Sequence, residues 1–190
     1  MTWSLDPHHT AVTFSAKHLG VATVRGSFSD VTAALELDNA DDPTTGSGTV
    51  TVKAASITTN SDMRDGHLKG ADFLDVEKYP DIVFTLKSVA PAGDHFKVTG
   101  DLTIKDITHE LVLDYEHSGS VAVPFGNTKV GGTLTGIMTR ADWGLNWNVP
   151  LGGGGLLVSE KVKLEIDGEL TQDKPAEAAP AAEAAAGATA

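Results

Sequence analysis

From Val158 to Leu170 the chain alternates between apolar and polar residues. Val158, Val162, Leu164, Ile166 and Leu170 fall on one side of an extended backbone; Ser159, Lys161, Lys163, Glu165, Asp167 and Glu169 fall on the other. Successive strand residues face opposite sides of a sheet, so this run is a strand with one buried and one wet face. Only Glu160 and Gly168 break the buried side. Comparable runs lie at Ala11–His18, Ala22–Phe28, Val31–Leu37, Ser47–Ala54, Asp81–Val89, Phe96–Ile104, His109–Glu116 and Lys129–Arg140. Gly, Asp, Asn or Pro separates most of them. Such a succession predicts an antiparallel sandwich or barrel, with the long last strand placed to close it. Asn60–Tyr79 is different. Met63, Leu68 and Phe73 are spaced like helix contacts, Asn60, Ser61 or Asp62 can cap a start, and Tyr79-Pro80 ends the segment. One or two short helices are predicted here, as a lid over one barrel end.

Glycine recurs on the inward faces. Gly26 lies between Val24 and Phe28, and Gly100 between Val98 and Leu102; Gly132 and Gly136 interleave with Val130, Leu134 and Met138. Two readings stand side by side. Missing side chains leave a closed sheet partly hollow, or inward glycines let the sheet bend at barrel corners. The first implies an apolar cavity with a ligand inside it.

Charge narrows the partners. The net charge is −12, of which Asp173–Ala190 contributes −2, leaving −10 on the body. An acidic body opposes nucleic acid, whose phosphates need Lys and Arg, and opposes anionic lipid surfaces. There is no cysteine, so disulfides and thiolate metal sites are excluded. No apolar run reaches membrane-spanning length. With no leader before Trp3, the expected location is the cytoplasm, or the periplasm if the chain has been trimmed. Asp173–Ala190 is rich in Ala, Glu and Pro and is read as a disordered tail behind a single domain of residues 1–172.

Candidate chemistry is sparse. No Gly-x-Ser-x-Gly elbow and no metal-binding histidine spacing occurs among the seven His. Ser61, Asp65 and His67 are close in sequence, which is a weak hint of a hydrolase. His18 and Arg140 are more pointed: each ends a strand in phase with its apolar face, where the polar head of a ligand would be met. Trp143 and Trp147 follow Arg140, either lining a mouth or plugging a barrel end. Gly152–Gly155 reads as a flexible connection beside them.

Several motifs together resemble the YceI-like family. They are Trp3-Ser-Leu-Asp-Pro-His-His-Thr with Lys17-His18-Leu19-Gly20, then Asp62-Met-Arg-Asp-Gly-His-Leu-Lys-Gly-Ala-Asp-Phe73 leading to Lys78-Tyr-Pro-Asp-Ile-Val-Phe84. Gly100-Asp-Leu-Thr-Ile-Lys105 and Arg140-Ala-Asp-Trp-Gly144 continue in order. The chain departs from the pattern at Asp106, where the family has Gly, and in the Gly152–Gly155 loop. The resemblance covers Thr2–Leu170 and implies an all-β, extended antiparallel eight-stranded lipocalin-like barrel with a short helical insertion. It implies an apolar cavity for a long isoprenoid chain, either a polyprenyl lipid or an isoprenoid quinone, and it implies dimers. No catalytic residue, metal or cofactor comes with it.

The expected function is therefore non-catalytic binding, transport or storage of an isoprenoid lipid. Phe14, Phe84, Leu102, Leu113, Leu134, Gly136, Met138 and Leu164 are expected to line the cavity, with His18, Arg140 and Trp143 at its polar mouth. The rivals are a lipid-modifying enzyme acting near His18 and Arg140, and a ligandless interaction protein with a filled barrel.

Overall fold

The alternating runs form a closed antiparallel barrel in the computed structural model, which describes residues 1–124 and 127–173. Among the described residues eleven strands occur: β1 (Thr2–Leu5), β2 (Ala11–His18), β3 (Ala22–Phe28), β4 (Val31–Glu36), β5 (Ser47–Lys53), β6 (Ile57–Thr58), β7 (Asp81–Ala92), β8 (His95–Ile104), β9 (Ile107–Ala122), β10 (Thr128–Thr139) and β11 (Val158–Gln172). They make eight staves, because the first six join end to end in pairs. β1 and β2 both run along β11, with Leu5 opposite Leu170 and Ala11 opposite Asp167. The break between them holds Pro7, which has no N–H to give to a ladder. β3 and β4 follow β2 and β1 in the same way, and β6 and β5 follow them. From β7 to β11 each strand pairs with the next. The ring closes through β1, which pairs with both β4 and β11.

Nine of the strands answer the runs read from sequence. β1 and β6 do not: at four and two residues they are too short to show a period. The helical segment is one helix, α1 (Asp62–Lys69), followed by turns. Ser61 is its N-cap residue, without a side-chain capping bond. Asp65 does the fastening instead. It is buried, and its carboxylate accepts from Thr59 N at 2.8 Å, Thr59 Oγ1 at 2.5 Å and Thr58 Oγ1 at 3.1 Å, which pins α1 to β6.

Each barrel end carries a tryptophan plug. At one, Trp3 packs with Leu37 and Val130, and its indole N–H donates to Leu37 O at 3.0 Å. At the other, Trp143 lies beneath the β8–β9 hairpin and donates to Leu102 O at 2.8 Å. Leu68, Leu74 and Leu145 pack into the same hydrophobic core as Trp143 and also line the lumen, so α1 and the turns after it do cover one end. Beyond Asp173, which still bonds to Ser4 and Thr2, the tail read as disordered lies outside the described residues.

Candidate functional site

Between the two plugs lies a lumen of about 420 Å³. That is within the range of pockets that take a small organic molecule. Its wall is almost wholly apolar. Phe14 comes from β2, Phe84 from β7, Leu102 from β8, Leu113 from β9, Leu134 and Met138 from β10, and Leu164 from β11. The inward phase of six different runs thus meets around one space.

The inward glycines do not form this space in the way the hollow reading supposed. A Cβ on Gly26 would lie 2.3 Å from Phe14 Cζ, and one on Gly100 would lie 2.3 Å from Phe84 Cζ. On Gly132 it would lie 2.5 Å from Tyr115 Cε2, and on Gly136 2.4 Å from Leu113 Cδ2. Each of these glycines is covered by a large side chain from the neighbouring strand. The missing Cβ lets a ring lie flat along the wall, and the barrel axis stays clear. Gly136 is therefore not in the lining: it is the seat of Leu113. Gly168 is the exception, since a Cβ there meets nothing within 4 Å, and it does face the lumen.

The expected polar mouth divides. Arg140 lines the lumen at the α1 end and is 5% exposed. Its Nε donates to Ser159 O at 3.0 Å and its Nη1 to Leu145 O, so it braces the turn after β10 against β11. Burial lowers its pKa and Glu160 partly restores it; a guanidinium stays charged all the same. No carboxylate makes an ion pair with it among the described residues. His18 and Trp143 are corrections. Neither is among the residues that line the lumen; Trp143 instead packs in the core and donates to Leu102 O.

Ser61, Asp65 and His67 form no triad. Asp65 is occupied by Thr58 and Thr59, whereas His67 Nε2 is 2.9 Å from Asp72 Oδ2. The His67 ring sits edge-on to Phe73 and Trp147, with centroids 5.1 and 4.6 Å away. The Gly152–Gly155 connection is a hairpin closed by a bridge from Pro150 to Leu156. Gly154 and Gly155 take φ of 84° and 97°, which explains glycine at both.

Several lumen residues escaped the sequence reading. Tyr115 continues the inward phase of Leu111 and Leu113 on β9, and that phase runs past Glu116 to His117, so both face the lumen, as does Thr10 just before β2. Continuing the period of two from Leu111 and Leu113 was the available signal. Outside the wall, Lys129 Nζ is held by Asp6 at 3.1 Å and by Glu169, with His9 Nδ1 3.1 Å from Asp6. His9, Lys129 and Glu169 border an open groove of about 400 Å³ over β9–β11. Asp6, His9 and Glu169 stand close enough for a metal, but the Lys129 ammonium already occupies both carboxylates.

A YceI-like domain model matches residues 3–170. A UPF0312 protein of Staphylococcus aureus strain MSSA476 is 37% identical over 170 residues, which is 89% of this chain and 96% of the relative. Among solved structures, the Campylobacter jejuni YCEI protein is 31% identical with a TM-score of 0.72, covering 83% of this chain and 90% of that one. A polyisoprenoid binding domain from Saccharophagus degradans shares the fold, with a TM-score of 0.62 at 14% identity, over 88% of this chain and 97% of that domain.

Proposed function

The chain belongs to the YceI-like domain family, and from that premise we propose that it binds a long isoprenoid lipid inside the barrel without transforming it. The single observation that carries this reading is the apolar lumen of about 420 Å³. An empty apolar cavity of that size forfeits contacts that a buried hydrocarbon chain restores, at about 0.8 kcal/mol per methylene taken from water. The polyisoprenoid ligand of the Saccharophagus degradans domain supports the class of ligand. A binding role is favoured over catalysis because two Arg140 donors are engaged by backbone carbonyls and His18 is not among the residues that line the lumen. A polyprenyl lipid and an isoprenoid quinone both suit the lumen, and carriage or storage would follow from such binding.

Native mass spectrometry of the purified protein, followed by organic extraction, tests this. A stoichiometric isoprenoid, or uptake of an added quinone or polyprenyl alcohol with a raised melting temperature, is the expected result. A protein that arrives empty and ignores both additions contradicts it.

A further inference from the structure

One row across the barrel wall is unlike the rest. His117 on β9 stands opposite Gly132 on β10, and Gly132 stands opposite Gly168 on β11. Ala11 pairs with Asp167, so Thr10 stands next to Gly168. Two polar side chains thus flank two glycines, over roughly 14 Å of wall at about 4.8 Å per strand. Both polar side chains carry a buried atom with no hydrogen-bond partner among the described residues: Thr10 Oγ1 and His117 Nε2. Leaving a buried donor or acceptor unpaired is destabilising, and native proteins rarely do so without a reason. Between the two, the floor at Gly168 is open.

The row is also held in place. Tyr115 Oη donates to Gly131 O at 3.2 Å and lies 3.0 Å from His117 Nδ1, which fixes the imidazole with Nε2 free. Just past His117 the β9–β10 register shifts, with Gly131 opposite Gly119 at φ of 87°. Bulges of this kind re-aim a neighbouring side chain.

We propose that Thr10 and His117 form the receptor for the head group of the bound lipid, and that this head group is uncharged and carries a hydroxyl or carbonyl oxygen. The proposal rests on the lumen reading above and specifies where the polar end lies. With the Tyr115 proton on Gly131 O, His117 Nε2 accepts from a hydroxyl; with that proton on Nδ1, Nε2–H donates to a carbonyl. Burial pushes the Tyr115 hydroxyl to about 12, so it keeps its proton in either case. Among the described residues an anionic head would find no free cation in this row, because Lys129 is committed to Asp6 and Glu169. Arg140 is eight residues along β10 from Gly132, about 26 Å away at roughly 3.3 Å per residue. The charged end and the neutral polar end of the lumen are therefore distinct.

The test is a competition in native mass spectrometry among geranylgeraniol, its deoxy hydrocarbon and geranylgeranyl diphosphate. The wild type is expected to prefer the alcohol to the hydrocarbon by roughly fivefold or more, the worth of one buried hydrogen bond. Thr10→Val and His117→Phe are each expected to shrink that preference toward unity while keeping the hydrocarbon bound. Thr10→Val is nearly isosteric, so it serves if His117→Phe misfolds. Equal uptake of alcohol and hydrocarbon by the wild type, or an undiminished preference in the variants, overturns the assignment. A diphosphate that displaces the alcohol also overturns it, by moving the head group to Arg140. Binding of none of the three defeats the lumen reading itself.

Discussion

Gly100 shows what an inward glycine does in this wall. The Phe84 ring and Thr85 O, 2.6 Å from its would-be Cβ, leave no room for even a methyl group. Gly100→Ala is expected to lower stability by about 1–3 kcal/mol, as overpacking does, and to tilt Phe84 into the lumen. Gly168→Ala, which meets open space, is expected to leave the melting temperature nearly unchanged; chemical denaturation of the two variants side by side checks both. The same comparison removes Gly136 as a blocking position, since a side chain there strikes Leu113 before it reaches the lumen. Sequence phase put these glycines on the inward face, but only the cross-strand register shows which ring covers each one. Arg140→Met makes the complementary case. It strips two backbone carbonyls of their donor and is expected to cost about 2–3 kcal/mol in urea unfolding.

The elements that sequence made legible are those long enough to show a period. The run from Val158 reads as a strand because the alternation persists over more than ten residues. β6 is invisible by the same criterion, although it is what α1 is fastened to. That fastening carries a pH dependence. Burial raises the pKa of Asp65, but the hydrogen bonds from Thr59 and Thr58 outweigh it, and the carboxyl sits below its ordinary value of 3.8. A lowered folded-state pKa means that the unfolded chain takes up protons first as acid is added. The contribution is complete above about pH 4 and is lost as pH falls through the lower folded value. Asp65→Asn is expected to destabilise the protein by roughly 2 kcal/mol at pH 7, the scale of hydrogen bonds to a charged group. Thermal melts from pH 7 to pH 2 should show wild type and variant converging in acid.

At the scale of the whole molecule, function lies in what two tryptophan plugs and eight staves enclose. The strand pattern left sandwich and barrel open, and the closed eight-stranded barrel came from the family resemblance. The apolar lining from Phe14 to Leu164 followed from phase alone. The polar end did not. Strand ends were the natural place to look for it, which favoured His18, Arg140 and Trp143. The register instead sets the unpaired atoms of Thr10 and His117 in one row, and His18 is not among the lining residues. That row depends on pairings between strands distant in sequence, and no local pattern contains them. The lumen itself is most directly tested at Gly168, where a long side chain enters open space and displaces no protein atom at its first carbon. Titration of wild type and Gly168→Leu with a polyprenyl alcohol, followed by native mass spectrometry, is the decisive measurement. The wild type is expected to take up one lipid per barrel, and the variant to remain empty at an unchanged melting temperature. Equal uptake by the two proteins would place the ligand outside the barrel and contradict the account.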